Sequence, residues 1–588
     1  MELQLRLNDG CDRRLAMSSL SDGTWHLIVP GVGAGALYKF APNGAEAYPD
    51  PYSRFQPNGV HGPSMVIDTS AFEWHDAGWH GIDRERLVVY EAHVGTVTPE
   101  GTFDGLVAQL DDLRDLGVTA VELMPVAQCS GGRNWGYDGV DLFAPSWSYG
   151  GPAGLQRLID AAHQRGLGVI LDVVYNHFGP EGNYLRAFSR QYFTDHYQTP
   201  WGDAVNYDGQ GSAWVRKLAI DNALSWVHDF HVDGLRLDAT FAIHDRSPRH
   251  LLQELSYAVR QSLPPDRPVV LIAETSENDA RYFKPAAEGG FEFDLVWADD
   301  FHHAVHTHLT ADRHGYFADY QGTAEEIART IGQGFLYEGQ TSSLTGEPRG
   351  TAARRWPAWR FLYCLQNHDQ VGNRALGERL NQLVDLASYR AVSVLLLALP
   401  YSVLLFMGQE LASSAPFLYF TDHEPDLGQL VTAGRRAEFA SDPAFGPAEQ
   451  VPDPQAQSTF DRSKLDPQQR RREPGSQVRQ LYQELLALRS WNSTIDEPAP
   501  EGLTARALTD ETLAVVLRGD GTRLLLVNFG EAAKVSLSAL GSDAHCAWRL
   551  LLSSEETRFG GSGSAAEITG GAAVLPRHSA ALFSSSGA

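Results

Sequence analysis

Cysteine is scarce. The chain has four in 588 residues, Cys11, Cys129, Cys364 and Cys546, with no CxxC spacing, which excludes a disulfide framework and argues for reduced, structural thiols. Long apolar runs are also missing. No stretch reaches the ~18 apolar residues that a membrane span needs, and Met1 leads into Glu2-Leu3-Gln4-Leu5 without the basic and apolar segments of a secretion signal. The expectation is a cytoplasmic protein. Basic charge is in deficit, with 47 Lys and Arg against 73 Asp and Glu, and the formal charge of -26 repels phosphate backbones and anionic lipid. The densest basic run, Arg470-Arg471-Arg472, is flanked by Asp466 and Glu473 and reads as a solvated helix start. Nucleic acid and membrane are excluded as partners, and a neutral substrate suits this charge.

A chain of this length holds several units of ~150 residues, or fewer if one is a barrel. Residues 1–85 are rich in Gly and Pro and carry short apolar alternations, such as Trp25-His26-Leu27-Ile28-Val29 and Leu37-Tyr38-Lys39-Phe40, which predict an all-β module. From residue 86 the texture changes to short apolar runs alternating with amphipathic helical patterns, as in a parallel α/β fold. The runs lie at 87–93, 119–124, 168–174, 234–238, 269–274, 295–298, 361–367 and 402–407, and helical patterns at 103–116, 155–165, 213–228, 249–263 and 383–399. Near-continuous apolarity means that both faces of each strand are buried. Eight such runs predict a (β/α)8 TIM barrel over residues 86–495. Residues 413–474, irregular and rich in Pro and Asp, read as a long loop packed on the barrel, followed by a helix at 477–489. Residues 496–588 return to short β-prone runs, two of them separated by Gly519-Asp520-Gly521, and predict a C-terminal antiparallel β domain.

In a barrel the active site sits at the C-terminal ends of the strands, so the residues that close the apolar runs carry the functional signal. Here they are acids. The third run closes in Asp172-Val173-Val174-Tyr175-Asn176-His177, the fourth in Arg236-Leu237-Asp238, the fifth in Ala273-Glu274 and the seventh in Gln366-Asn367-His368-Asp369. A lone carboxylate at such a turn is commonly a helix cap, but four together, two beside His and one beside Arg, point to a reaction centre. Period-2 alternation puts Arg236 on the same side as Asp238, where it favours an ionised nucleophile. Glu274 follows an apolar run with no cation beside it in sequence, an environment that keeps a proton donor protonated.

The segments DVVYNH (172–177), GLRLDA (234–239), AE (273–274) and QNHD (366–369) resemble, in order and spacing, the four sequence regions of the α-amylase family of glycoside hydrolases. The resemblance implies a retaining mechanism with Asp238 as nucleophile, Glu274 as general acid/base and Asp369 as stabiliser of the distorted transition state. It implies that His177, Arg236 and His368 contact the sugar being cleaved and that Tyr137 stacks on it. Asp172 and Asn176 read as braces.

Other segments are similar to the maltooligosyltrehalose trehalohydrolase family: Pro49-Asp50-Pro51-Tyr52-Ser53-Arg54-Phe55-Gln56-Pro57, Val60-His61-Gly62-Pro63-Ser64, Trp297-Ala298-Asp299-Asp300-Phe301-His302-His303, residues 367–374 and 376–379, and residues 416–423. That likeness implies release of trehalose from maltooligosyl trehalose by cleavage of the adjacent α-1,4 bond, and a first module that is a β-sandwich like starch-binding modules. One departure is Thr240-Phe241 after Asp238, where many members read Val-His. Asp299, Asp300 and His302 are candidates for acceptor-side hydrogen bonds. The same acids with the histidines at 302, 303, 306 and 308 invite a metal reading; acids near a helix N-terminus are the simpler account, and no cofactor or metal is expected. Two readings compete: a glucan branching enzyme, which shares the triad and segments of the 49–57 type, and a non-catalytic glucan-binding barrel.

Overall fold

All eight predicted apolar runs form strands, and they close into one parallel barrel in sequential order: β1 (Val88–Ala92), β2 (Ala120–Leu123), β3 (Gly168–Val173), β4 (Gly234–Leu237), β5 (Val270–Ala273), β6 (Leu295–Trp297), β7 (Phe361–Cys364) and β8 (Ser402–Phe406). The computed structural model describes residues 1–44, 46–264, 266–440, 450–489, 502–519 and 521–585. Alternation along each strand divides the side chains between two cores. Val89, Ala120, Ile170, Ile272, Leu362 and Leu404 fill the barrel interior, whereas Val88, Val121, Leu171, Leu235 and Leu271 pack outward against helices. Each Val, Leu or Ile side chain among them, taken fully out of water, contributes about 1.5–3 kcal/mol.

The outer helices include Gly151–His163, Ser212–Asp229, Leu251–Ser262, Asp300–Thr310, Ala324–Gln333 and Leu386–Ala398. The helical pattern at 103–116 is realised as two helices, Phe103–Val107 and Leu110–Leu116. Residues 413–474 differ from expectation, because this stretch holds helices Pro425–Ala440 and Gln457–Arg462. The first of them buries only Gly428 and Phe439, so it lacks the apolar stripe by which a helix is recognised.

Before the barrel, Glu2–Arg6, Asp12–Ala16, Leu37–Ala41 and Ser64–Met65 form a four-stranded antiparallel sheet, with a separate ladder of Ser18–Ser19 and Trp25–His26. Its connection is clamped under the barrel: Trp79 Nε1 donates to Asp233 Oδ1 at 2.6 Å and the Trp74 ring stacks on His231. After the barrel, a five-stranded and a three-stranded antiparallel sheet enclose a core that includes Ala514, Val516, Leu524, Leu526, Val535 and Leu575. The alternate residues Leu513, Val515, Leu525 and Val527 join the barrel's outer core. The expected boundary at 495/496 and Asp520 of the expected turn lie outside the described residues. Among the described residues, no helix is long and apolar enough to cross a membrane.

Candidate active site

Arg236 organises the mouth of the barrel. It points inward from β4 and is fully buried. Its Nη1 donates to both oxygens of Asp172 at 2.8 Å and to Asp238 Oδ1 at 3.0 Å, and its Nη2 lies 3.0 Å from Glu274 Oε2. The guanidinium stands 4.2 Å from the centre of the Trp297 ring, a cation–π contact at the end of β6. One cation thus holds carboxylates from three adjacent strands. The parallel register explains why: Leu237 pairs with Ala273, so Asp238 and Glu274 follow side by side. The absence of a cation beside Glu274, expected from its own strand, is corrected by this neighbour.

Asn176 fixes Asp238 from the other side, its Nδ2 donating to Oδ2 at 2.7 Å and to the carbonyl oxygen at 2.8 Å. The turn that follows is strained, with Ala239 in the left-handed region at φ 38°. This conformation aims the Ala239 N–H at Glu274 Oε2, 2.6 Å away. The departure at Thr240 has a local role, since its hydroxyl donates to the Glu274 carbonyl oxygen at 2.5 Å and meets the Tyr282 hydroxyl at 2.9 Å. Phe241 beside it is 44% exposed. Burial raises the Glu274 pKa, Arg236 opposes the shift, Asp238 and Asp369 add to it, and the result is about 8.

A second chain of contacts reaches the same centre from β1. Glu91 Oε1 and Oε2 accept from His368 Nδ1 and from its backbone N–H at 2.5 and 3.0 Å. His368 Nε2 meets the Tyr137 hydroxyl at 2.8 Å, and that hydroxyl donates to Asp172 Oδ2 at 2.6 Å. Burial disfavours the His368 cation, but Asp369 and Glu91 outweigh it and raise its pKa to about 10. At neutral pH both ring nitrogens therefore donate, which sets the direction of the relay from Glu91 through Tyr137 to Arg236. Tyr137 also stacks on the His368 ring, with centroids 5.1 Å apart. His177 is held by Asn176 Oδ1 and by the Tyr137 carbonyl oxygen, and its ring stacks on Trp201.

Sequence reasoning quoted Thr240 and Trp297 without giving them these roles, and it missed Glu91 and also Glu122, which pairs with Glu91 across β1 and β2. Glu122 is buried with neither carboxyl oxygen hydrogen-bonded, and burial and then Glu91 push its pKa well up. The available signal was parity: Glu91 and Glu122 occupy inward positions of otherwise apolar strands.

The three acceptor-side candidates separate. Asp299 is half-buried, and burial together with Asp369 and Asp300 raises its pKa to about 7. Asp300 is not available as a substrate contact. Its oxygens accept from Tyr320, Arg349, Asn278 and the backbone N–H groups of Leu336 and Tyr337, and the residue is fully buried. His302 is likewise only 3% exposed, packed on His306 and Phe317. Asp369, by contrast, keeps a side chain 37% exposed at the mouth. Among the described residues, no three His, Cys, Asp or Glu side chains are grouped to hold a metal ion.

Residues 47–214 match the family model of the alpha amylase catalytic domain. The malto-oligosyltrehalose trehalohydrolase of Deinococcus radiodurans is 44% identical over 519 residues, covering 88% of this chain and 84% of the relative. That of Saccharolobus solfataricus is 44% identical over 75% of this chain and 76% of its own. In structure, the chain superposes with a TM-score of 0.89 on a protein of Salmonella typhimurium assigned as an alpha amylase, at 39% identity and covering 99% of this chain and 96% of that one. A pullulanase of Paenibacillus barengoltzii, 20% identical, shares the fold at a TM-score of 0.70, covering 99% and 92%. The extent and identity of the first two matches place this chain in the malto-oligosyltrehalose trehalohydrolase family, among the α-amylase-type glycoside hydrolases.

Proposed function

We propose that this protein hydrolyses the α-1,4 bond next to the terminal α,α-1,1-linked disaccharide of maltooligosyl trehalose, releasing trehalose, on a barrel of residues 86–495 flanked by modules 1–85 and 496–588. The observation that carries the chemistry is the grouping of Asp238 and Glu274 on one guanidinium, with Asp369 opening to solvent beside them. Protonated Glu274 gives its proton to the glycosidic oxygen while an Asp238 carboxylate oxygen attacks the anomeric carbon; the C–O bond to trehalose breaks and a glucosyl ester forms. Water then yields a proton to Glu274 and adds to the same carbon, expelling Asp238. Two inversions retain the configuration. Asp369 and His177 bear on the sugar as its ring flattens, and Tyr137, braced by the buried His368, offers it a face. Asp299, on the β6 side, is the remaining candidate for the trehalose half.

The choice of substrate rests on relatives named for it over most of their length. A branching enzyme of Corynebacterium diphtheriae matches at 32% identity over only 47% of this chain. Chromatography of the products from maltooligosyl trehalose tests the choice. Free trehalose and a shortened maltooligosaccharide are expected; new α-1,6 branches without trehalose would overturn it.

A further inference from the structure

A cleft of about 630 Å3 opens among the loops after β2, β3 and β8, and Asp238, Glu274 and Asp369 are not among the residues that line it. Four segments wall it: residues 57–61 of the N-terminal module, Ser130, Gly131 and Trp147 after β2, Glu181 after β3, and residues 422–425 after β8. Trp147 is 44% exposed, although Tyr149 of the same turn is buried. Two glycines flank its indole: a Cβ at Gly59 or at Gly132 would lie 3.9 Å from the ring, so their lack of side chains leaves the ring accessible. Beside it, Glu181 Oε2 accepts from the Glu424 N–H and from His423 Nδ1, each at 3.1 Å, and its Oε1 lies 3.3 Å from His61 Nε2. Asp422 Oδ2 accepts from the Gly132 N–H at 2.9 Å. The Ser130 hydroxyl is a fourth donor to Glu181, which leaves that carboxylate saturated, whereas Asp422, whose Oδ1 accepts from Arg133, is a third exposed and keeps further lone pairs for sugar hydroxyls.

An accessible indole beside a fixed carboxylate suits a neutral sugar, whose C–H face packs on the ring while its hydroxyls donate sideways. The cleft is also physically joined to the reaction centre. The loop after β3 carries both His177 and Glu181, the loop after β2 carries both Tyr137 and Trp147, and His423 Nε2 lies 3.5 Å from Oδ2 of Asp138, the residue after Tyr137. In the ring of strands, β2 stands opposite β6, which presents Asp299. A glucan with its trehalose end toward Asp299 therefore runs its other end toward this cleft. We propose that the cleft is a remote α-1,4-glucan subsite, with Trp147 as the stacking platform and Asp422 as the hydroxyl acceptor, while the saturated Glu181 holds the wall in place. The direction of the chain rests on the function proposed above; the binding chemistry does not.

The test compares wild type, Trp147→Ala and Trp147→Phe in two measurements. One is kcat/KM for trehalose release over a ladder from maltosyl to maltohexaosyl trehalose, and the other is calorimetric titration with maltoheptaose. Trp147→Ala is expected to lower kcat/KM roughly three- to tenfold on the longest substrates, to leave the shortest unchanged, and to weaken maltoheptaose binding by a similar factor, with Trp147→Phe restoring most of both. An equal loss at every length, or unchanged values throughout, overturns the subsite. If the wild type releases no trehalose, the substrate assignment fails, and the maltoheptaose titration still decides the cleft: an unchanged Kd in Trp147→Ala overturns it.

Discussion

Glu274 sits under opposing influences. Burial lifts its pKa, Arg236 at 3.0 Å pulls it down, and Asp238 and Asp369 push it up again, leaving it at about 8. A carboxylic acid that holds its proton at neutral pH can deliver it to a leaving oxygen, and that capacity is lost as pH rises through the pKa. The basic limb of kcat/KM is therefore expected to fall with a midpoint near 8. His368, cationic up to about 10, does not contribute to that limb. Asp299, at about 7, overlaps it, and Asp299→Asn separates the two by leaving the limb near 8 in place. Glu274→Gln is expected to lose about 10²- to 10⁴-fold in rate; a variant of near-normal activity contradicts the assignment. The pairing of Arg236 with Asp238 was legible in one strand because it needs only period-2 alternation. The contact between Arg236 and Glu274 was not, because it depends on the register between two strands. The same holds for Asp300, whose partners come from residues 278, 320, 336, 337 and 349.

At the level of elements, the barrel was readable because its strands are buried on both faces and four of the eight runs close in acids, a pattern local to each run. The helix Pro425–Ala440 was not, because its mostly solvated surface leaves no periodic signal. Loops place the remaining groups of the site, and one depends on a single glycine. Gly136 has φ +108°, and a Cβ there would collide with the Pro125 carbonyl oxygen. The turn fixes Tyr137, and with it the hydrogen bonds to Asp172 and His368. Gly136→Ala is expected to lower Tm and to reduce kcat more than tenfold, about 1.4 kcal/mol of barrier. Differential scanning fluorimetry and steady-state rates check this; wild-type values in both would show that the turn tolerates a side chain.

Across the whole molecule, the C-terminal sheets and the barrel share one core, since Leu513, Val515 and Leu525 pack with the same cluster as the barrel helices. The seam also contains a buried ion pair, Arg390 Nη2 to Glu555 Oε1 at 2.7 Å, with both side chains at most 6% exposed. Glu555→Ala strands the guanidinium in that seam and is expected to cost about 3 kcal/mol, read from urea unfolding; a loss below 0.5 kcal/mol, the range of ordinary surface changes, would contradict a shared core. This assembly holds three carboxylates at one mouth, and the account stands on what they do together. NMR of the first-formed products from maltooligosyl trehalose measures it most directly. Trehalose signals appearing together with the α-anomer of the shortened glucan are predicted; a β-anomer, formed without a glucosyl ester on Asp238, would contradict the account.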